Sequence, residues 1–348
     1  MKAIIENVNI QAITSWLPKN VLEMSSLVSL FGERDVFNII KATGVERARI
    51  ADETMTSSDM CFNAALYLIE KEHLDLSKID GLVFVSQTAD YILPSTSNIL
   101  QARLALNKST ICLDIRHGCS GYIYGIFQAA LWINAGACNK VIVLAGDTSS
   151  KMINEKDRSL RMVFGDSGTA TLVTKGNNNM GFSLNSDGLG YDKLIIPAGG
   201  FRLKRTTTTN NVKKDVNNNW RSLEDMYMDG AAIFDFAISN VSDDIDELIE
   251  YMDWRKGDIQ LFALHQANKF MVNSIRKKMK VDIEKVPINS NNYGNTGPAS
   301  IPLLLSDLLV ENNFDLRKVI LSGFGVGLSW GSVACNLTET KFYKPINK

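Results

Sequence analysis

The sequence lacks paired cysteines. Its five, Cys61, Cys112, Cys119, Cys138 and Cys335, are scattered, with no CxxC pair. An odd set of thiols without disulfide spacing fits a reducing cytoplasm. Histidine is scarcer still: His73, His117 and His265 stand far apart, none with a partner at metal-ligand spacing. No structural or catalytic metal is expected. An excess of one charge is missing too, with 37 basic against 38 acidic residues and a net charge of −1. Nothing global therefore draws the chain to nucleic acid or to an anionic membrane. No apolar run is long enough to span a bilayer; the most apolar helical stretch, Gly121 to Gly136, is short and carries Gln128 and Asn134. The opening residues, MKAIIENVNI, put Glu6 and Asn7 where a signal peptide needs its apolar core. A soluble, cytoplasmic protein is the expectation.

What is present is an ordinary globular composition over 348 residues, 45% apolar and 22% charged, and an internal repeat. Asp80–Gln87 (DGLVFVSQ) resembles Asp258–His265 (DIQLFALH), and Lys140–Gly146 (KVIVLAG) resembles Lys318–Gly323 (KVILSG), both at an offset of 178 residues. A third pair, Gly168–Val173 and Gly331–Cys335, follows in the same order. Each segment is a short β-branched run bounded by turn residues, as strands covered on both faces should be. Helical patterns lie between, at Ser58–Glu72, Ser274–Lys280 and Ile301–Val310. Alternating strands and helices in duplicate predict an α/β protein of two pseudo-twofold-related halves. The boundary is placed in GNNNMG, giving halves 1–177 and 178–348. Phe201–Asn219, polar and low in complexity, is expected to be an exposed and mobile loop or cap.

The offset brings three unusual residues to equivalent places. Cys119 maps onto Gly297, in NYGNTGPAS, and His265 maps back onto Gln87 at a strand end. In layered α/β proteins sites form at such strand ends and helix starts. In DIRHGCSG, Cys119 sits at a helix start, where free N–H groups and the dipole favour a thiolate; a small buried residue fits that place equally well. His265 opens HQAN after a strand, and Asn295 lies in a Gly/Pro-rich turn. Taken singly, a structural histidine and an ordinary turn asparagine describe them as well. GFGVG at Gly323–Gly327 is not a dinucleotide loop, because a strand and not a helix follows it.

Five segments in order, the Cys119 elbow, KDRSLRMVFGDSG, HQAN, GNTGPAS and GFGVGLSWG, resemble β-ketoacyl-ACP synthase III of the thiolase superfamily along nearly the whole chain. The resemblance implies a duplicated thiolase-like fold in α/β/α/β/α layers and a Cys-His-Asn triad of Cys119, His265 and Asn295. It implies decarboxylative Claisen condensation: an acyl primer loaded on Cys119 joins a malonyl-type extender, with malonyl-ACP expected. His265 and Asn295 would donate to the enolate oxygen, and the backbone N–H groups of Cys119 and Val326 to the oxyanion. Phe324 would disfavour the extender's carboxylate, and Arg158 would stand at the pantetheine entry. Acyl carrier protein, acyl-CoA or acyl-ACP, a second copy of the chain, and no further cofactor are the implied partners. The basic helix after HQAN, with Lys269, Arg276, Lys277, Lys278 and Lys280, suits an acidic carrier protein or simply a solvated face.

Three positions depart from the family. Where many members hold the adenine of CoA with a tryptophan and an arginine, this chain has Asn38 and Ala42. Leu93, in YILPS, replaces an aromatic that closes the acyl pocket across the dimer, so longer or branched acyl groups are expected. An acyltransferase of the same fold, passing the acyl group to an alcohol or amine, is the alternative activity, with His265 as its base.

Overall fold

The computed structural model describes residues 1–310 and 314–347. The chain folds into two sheets with helices between and outside them. In the larger sheet the strands run in the order Lys341–Phe342, Val8–Trp16, Ser167–Lys175, Lys140–Asp147, Gly81–Val85, Ile111–Ile115. In the smaller the order is Lys2–Ile5, Met180–Ser186, Ser329–Cys335, Val319–Gly325, Leu261–Leu264. Each pair of repeated segments holds the same place in its sheet. Gly81–Val85 is parallel to Lys140–Asp147 as Leu261–Leu264 is to Val319–Gly325. Each pair is followed by an antiparallel neighbour.

Continuous apolar sequence explains these strands: Gly81–Val85 and Leu261–Leu264 are buried at every position, which needs a cover on both faces. Helices Gly121–Asn134 and Ser300–Leu308 fill the space between the sheets, in one apolar core that includes Val83, Val143, Ile123, Ile126, Leu304 and Leu321. Helix Ser57–Glu72 covers the outer face of the larger sheet, and helices Gly230–Tyr251 and Lys269–Met279 that of the smaller. The result is the expected α/β/α/β/α layering. The helix expected at 274–280 begins five residues earlier, because Asn268 caps it by accepting from Met271 N–H at 2.9 Å.

Residues 201–219 are fastened down rather than loose. Lys213–Lys214 pairs with Trp220–Arg221 in a hairpin, and Asp215 accepts the N–H groups of Asn217 and Asn219 at 2.8 and 2.9 Å. Thr209 Oγ1 donates to Glu224 at 2.7 Å. The composition suggested mobility because it offers few apolar groups; short side chains that bond to the backbone do the fastening instead.

Candidate active site

Strand Ile111–Ile115 runs into the turn that carries Cys119, and helix Gly121–Asn134 starts two residues later. Ser120 Oγ lies 2.6 Å from Ser329 Oγ, a buried bond that ties this elbow to the opposite half. Across from the thiol, Gly325 approaches so closely that a Cβ there would fall 2.9 Å from Cys119 Sγ. The backbone N–H groups of Val326 and of Cys119 itself both face the sulfur, the two donors expected for an oxyanion. Their effect and that of the helix start are outweighed. Burial, then the nearby Asp147 carboxylate, pushes the Cys119 thiol up to about 12. The expected resting thiolate is therefore corrected to a neutral thiol.

His265 follows strand Leu261–Leu264, fixed by its N–H bond to Ser322 O at 2.8 Å. Its Nδ1 is 2.6 Å from Ser300 Oγ, which also accepts the Gln266 N–H at 3.4 Å. Nε2 is buried and has no hydrogen-bond partner among the described residues. Burial pulls the imidazole down to about 3, so it is neutral near pH 7. Asn295 comes from a turn held on both sides: its N–H donates to Val163 O at 2.8 Å and its carbonyl accepts Gly165 N–H at 3.0 Å. Its side-chain Oδ1 accepts Gly297 N–H at 3.0 Å, which leaves the amide NH₂ to point a donor into the site.

Cys119, His265, Asn295 and Phe324 line one cavity of about 110 Å³, so side chains spread over 206 residues of sequence meet at one place. Phe324 stands edge-on to His265, with ring centroids 5.4 Å apart. On its other side Cys119 lines a closer space of about 50 Å³ with Gln87, Met152, Met226, Gly297 and Leu194–Ile196. Gln87 and Gly297, the repeat equivalents of His265 and Cys119, thus reach the same spot. That space holds a short chain only, about two water volumes; a longer one requires the unbranched Met152 and Met226 to move. Outward, the cavity shares Met228 and Gly230 with a mouth of about 730 Å³. Arg158 lines it, ion-paired with Asp35 and donating to Asn217 O at 2.9 Å. Asn38 and Ala42 line it too. Leu93 lies at none of these cavities; it is 79% exposed, beside Tyr91 and Ile92.

Two residues escaped the sequence reading. Ser300 lies within GPAS, where nothing marks one serine as a histidine's partner. Asp147 ends strand Lys140–Asp147; its Oδ1 accepts from Ser86 Oγ and Gln87 N–H, both at 2.8 Å, while Oδ2 is buried without a hydrogen-bond partner among the described residues. Burial raises it to about 6. A charged residue closing an apolar strand was the available signal.

Models of two parts of one family match the chain: 3-oxoacyl-[acyl-carrier-protein] synthase III over residues 113–188, and its C-terminal part over residues 249–337. A beta-ketoacyl-[acyl-carrier-protein] synthase III of Caldanaerobacter subterraneus is 33% identical, over 91% of this chain and 94% of its own. The chain belongs to the 3-oxoacyl-ACP synthase III family. A relative of the same description from Clostridioides difficile is 32% identical, over 93% of this chain and 96% of its own. The crystal structure of a 3-oxoacyl-(acyl-carrier protein) synthase from Burkholderia xenovorans superposes with a TM-score of 0.92, at 34% identity, covering 100% of this chain and 99% of that one. The fold is therefore the thiolase-like one, and the chain is an enzyme of the transferase type. Among the described residues no helix is long and apolar enough to cross a membrane.

Proposed function

We propose that the protein condenses an acyl thioester with a malonyl-type extender, malonyl-ACP, with loss of carbon dioxide. The observation that carries this reading is the convergence of a buried cysteine with two separate sets of donors. The N–H groups of Cys119 and Val326 face the sulfur, and His265 Nε2 and the Asn295 amide serve the adjoining cavity.

In the first half-reaction Cys119 sulfur attacks the primer's thioester carbon, and the Cys119 proton ends on the departing carrier thiol. In the second, the extender loses its carboxylate as carbon dioxide and leaves an enolate. In this reading the Ser300 hydroxyl donates to His265 Nδ1, 2.6 Å away, and the ring proton is on Nε2. Nε2–H and the Asn295 NH₂ then donate to the enolate oxygen. The carbanion attacks the acyl carbonyl on Cys119, and the oxyanion accepts from the Cys119 and Val326 N–H groups. Collapse releases a β-ketoacyl thioester and Cys119, which regains a proton from solvent. Phe324, apolar and against His265, disfavours a carboxylate beside the donors, and so favours its loss.

The carrier protein docks on the groove between helices Glu33–Thr43 and Lys269–Met279, where Lys41, Lys269, Arg276 and Lys277 surround Phe270. Cations around an exposed aromatic suit an acidic partner. The active form is a homodimer in which Leu93 crosses to the partner's acyl space.

The test is to supply an acyl thioester and malonyl-ACP and follow carbon dioxide, product and adducts on the protein. Carbon dioxide with a β-keto product is expected, with an acyl adduct absent from Cys119→Ala. Asn295→Ala, which removes one donor, should slow condensation by about a hundredfold, or ~3 kcal/mol. Acyl transfer to an alcohol or amine without carbon dioxide would sink the proposal.

A further inference from the structure

The close space beside Cys119 has carbon walls and a polar pair. Met152, Phe164 and Leu194–Ile196 supply carbon, while Gln87 and Ser149 bring an amide and a hydroxyl. Neither polar side chain has a hydrogen-bond partner among the described residues, although Ser149 is only 2% exposed. Both residues are fixed from behind. They follow neighbouring parallel strands, Gly81–Val85 and Lys140–Asp147. Asp147 Oδ1 accepts the N–H groups of Gln87 and Thr88 at 2.8 and 3.2 Å, and Thr148 N–H donates to Thr88 Oγ1 at 3.0 Å. Ser150 N–H donates to Asp166 at 2.9 Å. These bonds hold the two loops by their backbones and leave the Gln87 amide and the Ser149 hydroxyl uncommitted. Gln87 Oε1 stands so close to the cysteine turn that a Cβ on Gly118 would collide with it.

An uncommitted polar pair selects for a polar atom on the group it holds, because an all-carbon group takes water from both and returns no hydrogen bond. The carbonyl oxygen of an acyl group on Cys119 belongs to the Cys119 and Val326 N–H groups. The second and third carbons of that group are therefore the next to meet the Gln87 amide. The surroundings narrow the polar atom further. Among the described residues no charged side chain lines the space. Asp147 stands behind Gly297, where an added Cβ would fall 2.9 Å from its Oδ2, so a carboxylate on the acyl group is repelled. A ketone only accepts and leaves the Gln87 carbonyl unmatched, whereas a hydroxyl donates to Gln87 Oε1 and accepts from Ser149 Oγ. We propose that Gln87 and Ser149 select a short primer with a hydroxyl on its second or third carbon, a hydroxyacyl thioester. This rests on the reading of Cys119 as the acyl acceptor and names the class of acyl group it takes.

The test pairs each hydroxyacyl thioester with the methyl compound of the same shape: 3-hydroxybutyryl with 3-methylbutyryl, and 2-hydroxybutyryl with 2-methylbutyryl. Equal amounts of a pair, on the same carrier, compete for the whole protein, and mass analysis of the Cys119 peptide reads the ratio of adducts. In at least one pair the hydroxyl compound should lead by roughly tenfold or more. Gln87→Leu keeps the bulk of the side chain without its polarity and should bring that ratio to parity or below. Ser149→Ala should lower it as well. A parent ratio near one or below in both pairs overturns the inference, as does a ratio that neither variant changes. An acetoacetyl thioester that outcompetes 3-hydroxybutyryl overturns the choice of a hydroxyl. Selective loading of Cys119 with no carbon dioxide released from malonyl-ACP overturns the proposed function alone, and loading by none of the thioesters overturns both.

Discussion

The sulfur of Cys119 has two opposed influences on it, and their balance decides its resting state. Two N–H groups and a helix start favour the anion, while burial and Asp147 disfavour it and prevail, at about 12. The sign follows: below that value the folded protein keeps a proton that an unfolded cysteine releases near 9. In the apo enzyme, alkylation of Cys119 by iodoacetamide should therefore keep rising with pH well beyond 9. A plateau at or below pH 8, followed by mass spectrometry on Cys119, would show a resting thiolate and refute this account. Ser300 offers a second test at this scale. As the partner of His265 Nδ1 it fixes which nitrogen donates to the enolate, a positioning role exercised only in the second half-reaction. Ser300→Ala should lower the condensation rate roughly ten- to a hundredfold and leave the rate of Cys119 acylation near that of the parent enzyme. Equal losses in both steps would point to a merely structural serine.

At the scale of elements, the layers depend on how closely helix Gly121–Asn134 approaches the sheet beneath it. A Cβ at Gly125 would fall 2.8 Å from Val85 Cγ2 and 2.9 Å from Val143 Cγ1. Neither valine can swing away, because both are fully buried strand residues. Gly125→Ala should destabilise the fold by about 1–3 kcal/mol, read as a melting temperature several degrees lower; an unchanged value would mean that the helix shifts freely. Much of this architecture is legible in the sequence. A repeat of apolar strand segments carries register and order with it, since strands buried on both faces admit few other residues. His265 was legible because it ends a repeated segment, and Cys119 and Asn295 because their motifs, the Cys119 elbow and GNTGPAS, stand in order with HQAN. Ser300 and Asp147 were not, since their roles come from contacts between the halves. The fastening of residues 201–219 was hidden too: Thr, Asn and Asp bond locally to the backbone in fixed turns and in mobile loops alike.

At the scale of the whole molecule, one chain leaves an apolar tip in water. Tyr91, Ile92 and Leu93 are 63%, 75% and 79% exposed in succession, and a run of this kind is normally covered. Leu93 is absent from the cavities that Cys119 lines in its own chain. In the proposed homodimer Leu93 acts on the acyl group of the second copy. Leu93→Glu places a charge at the contact and should shift the mass measured by light scattering from two chains to one, 38.6 kDa. Leu93→Phe should keep the dimer and bias Cys119 acylation toward shorter primers. Mixed dimers settle the direction. When a Cys119→Ala chain with native Leu93 is paired with a Leu93→Phe chain, the one working cysteine faces a native leucine, and its preference should return to that of the parent enzyme. Persistence of the shortened preference in that pair would place the effect within a single chain and refute the crossing.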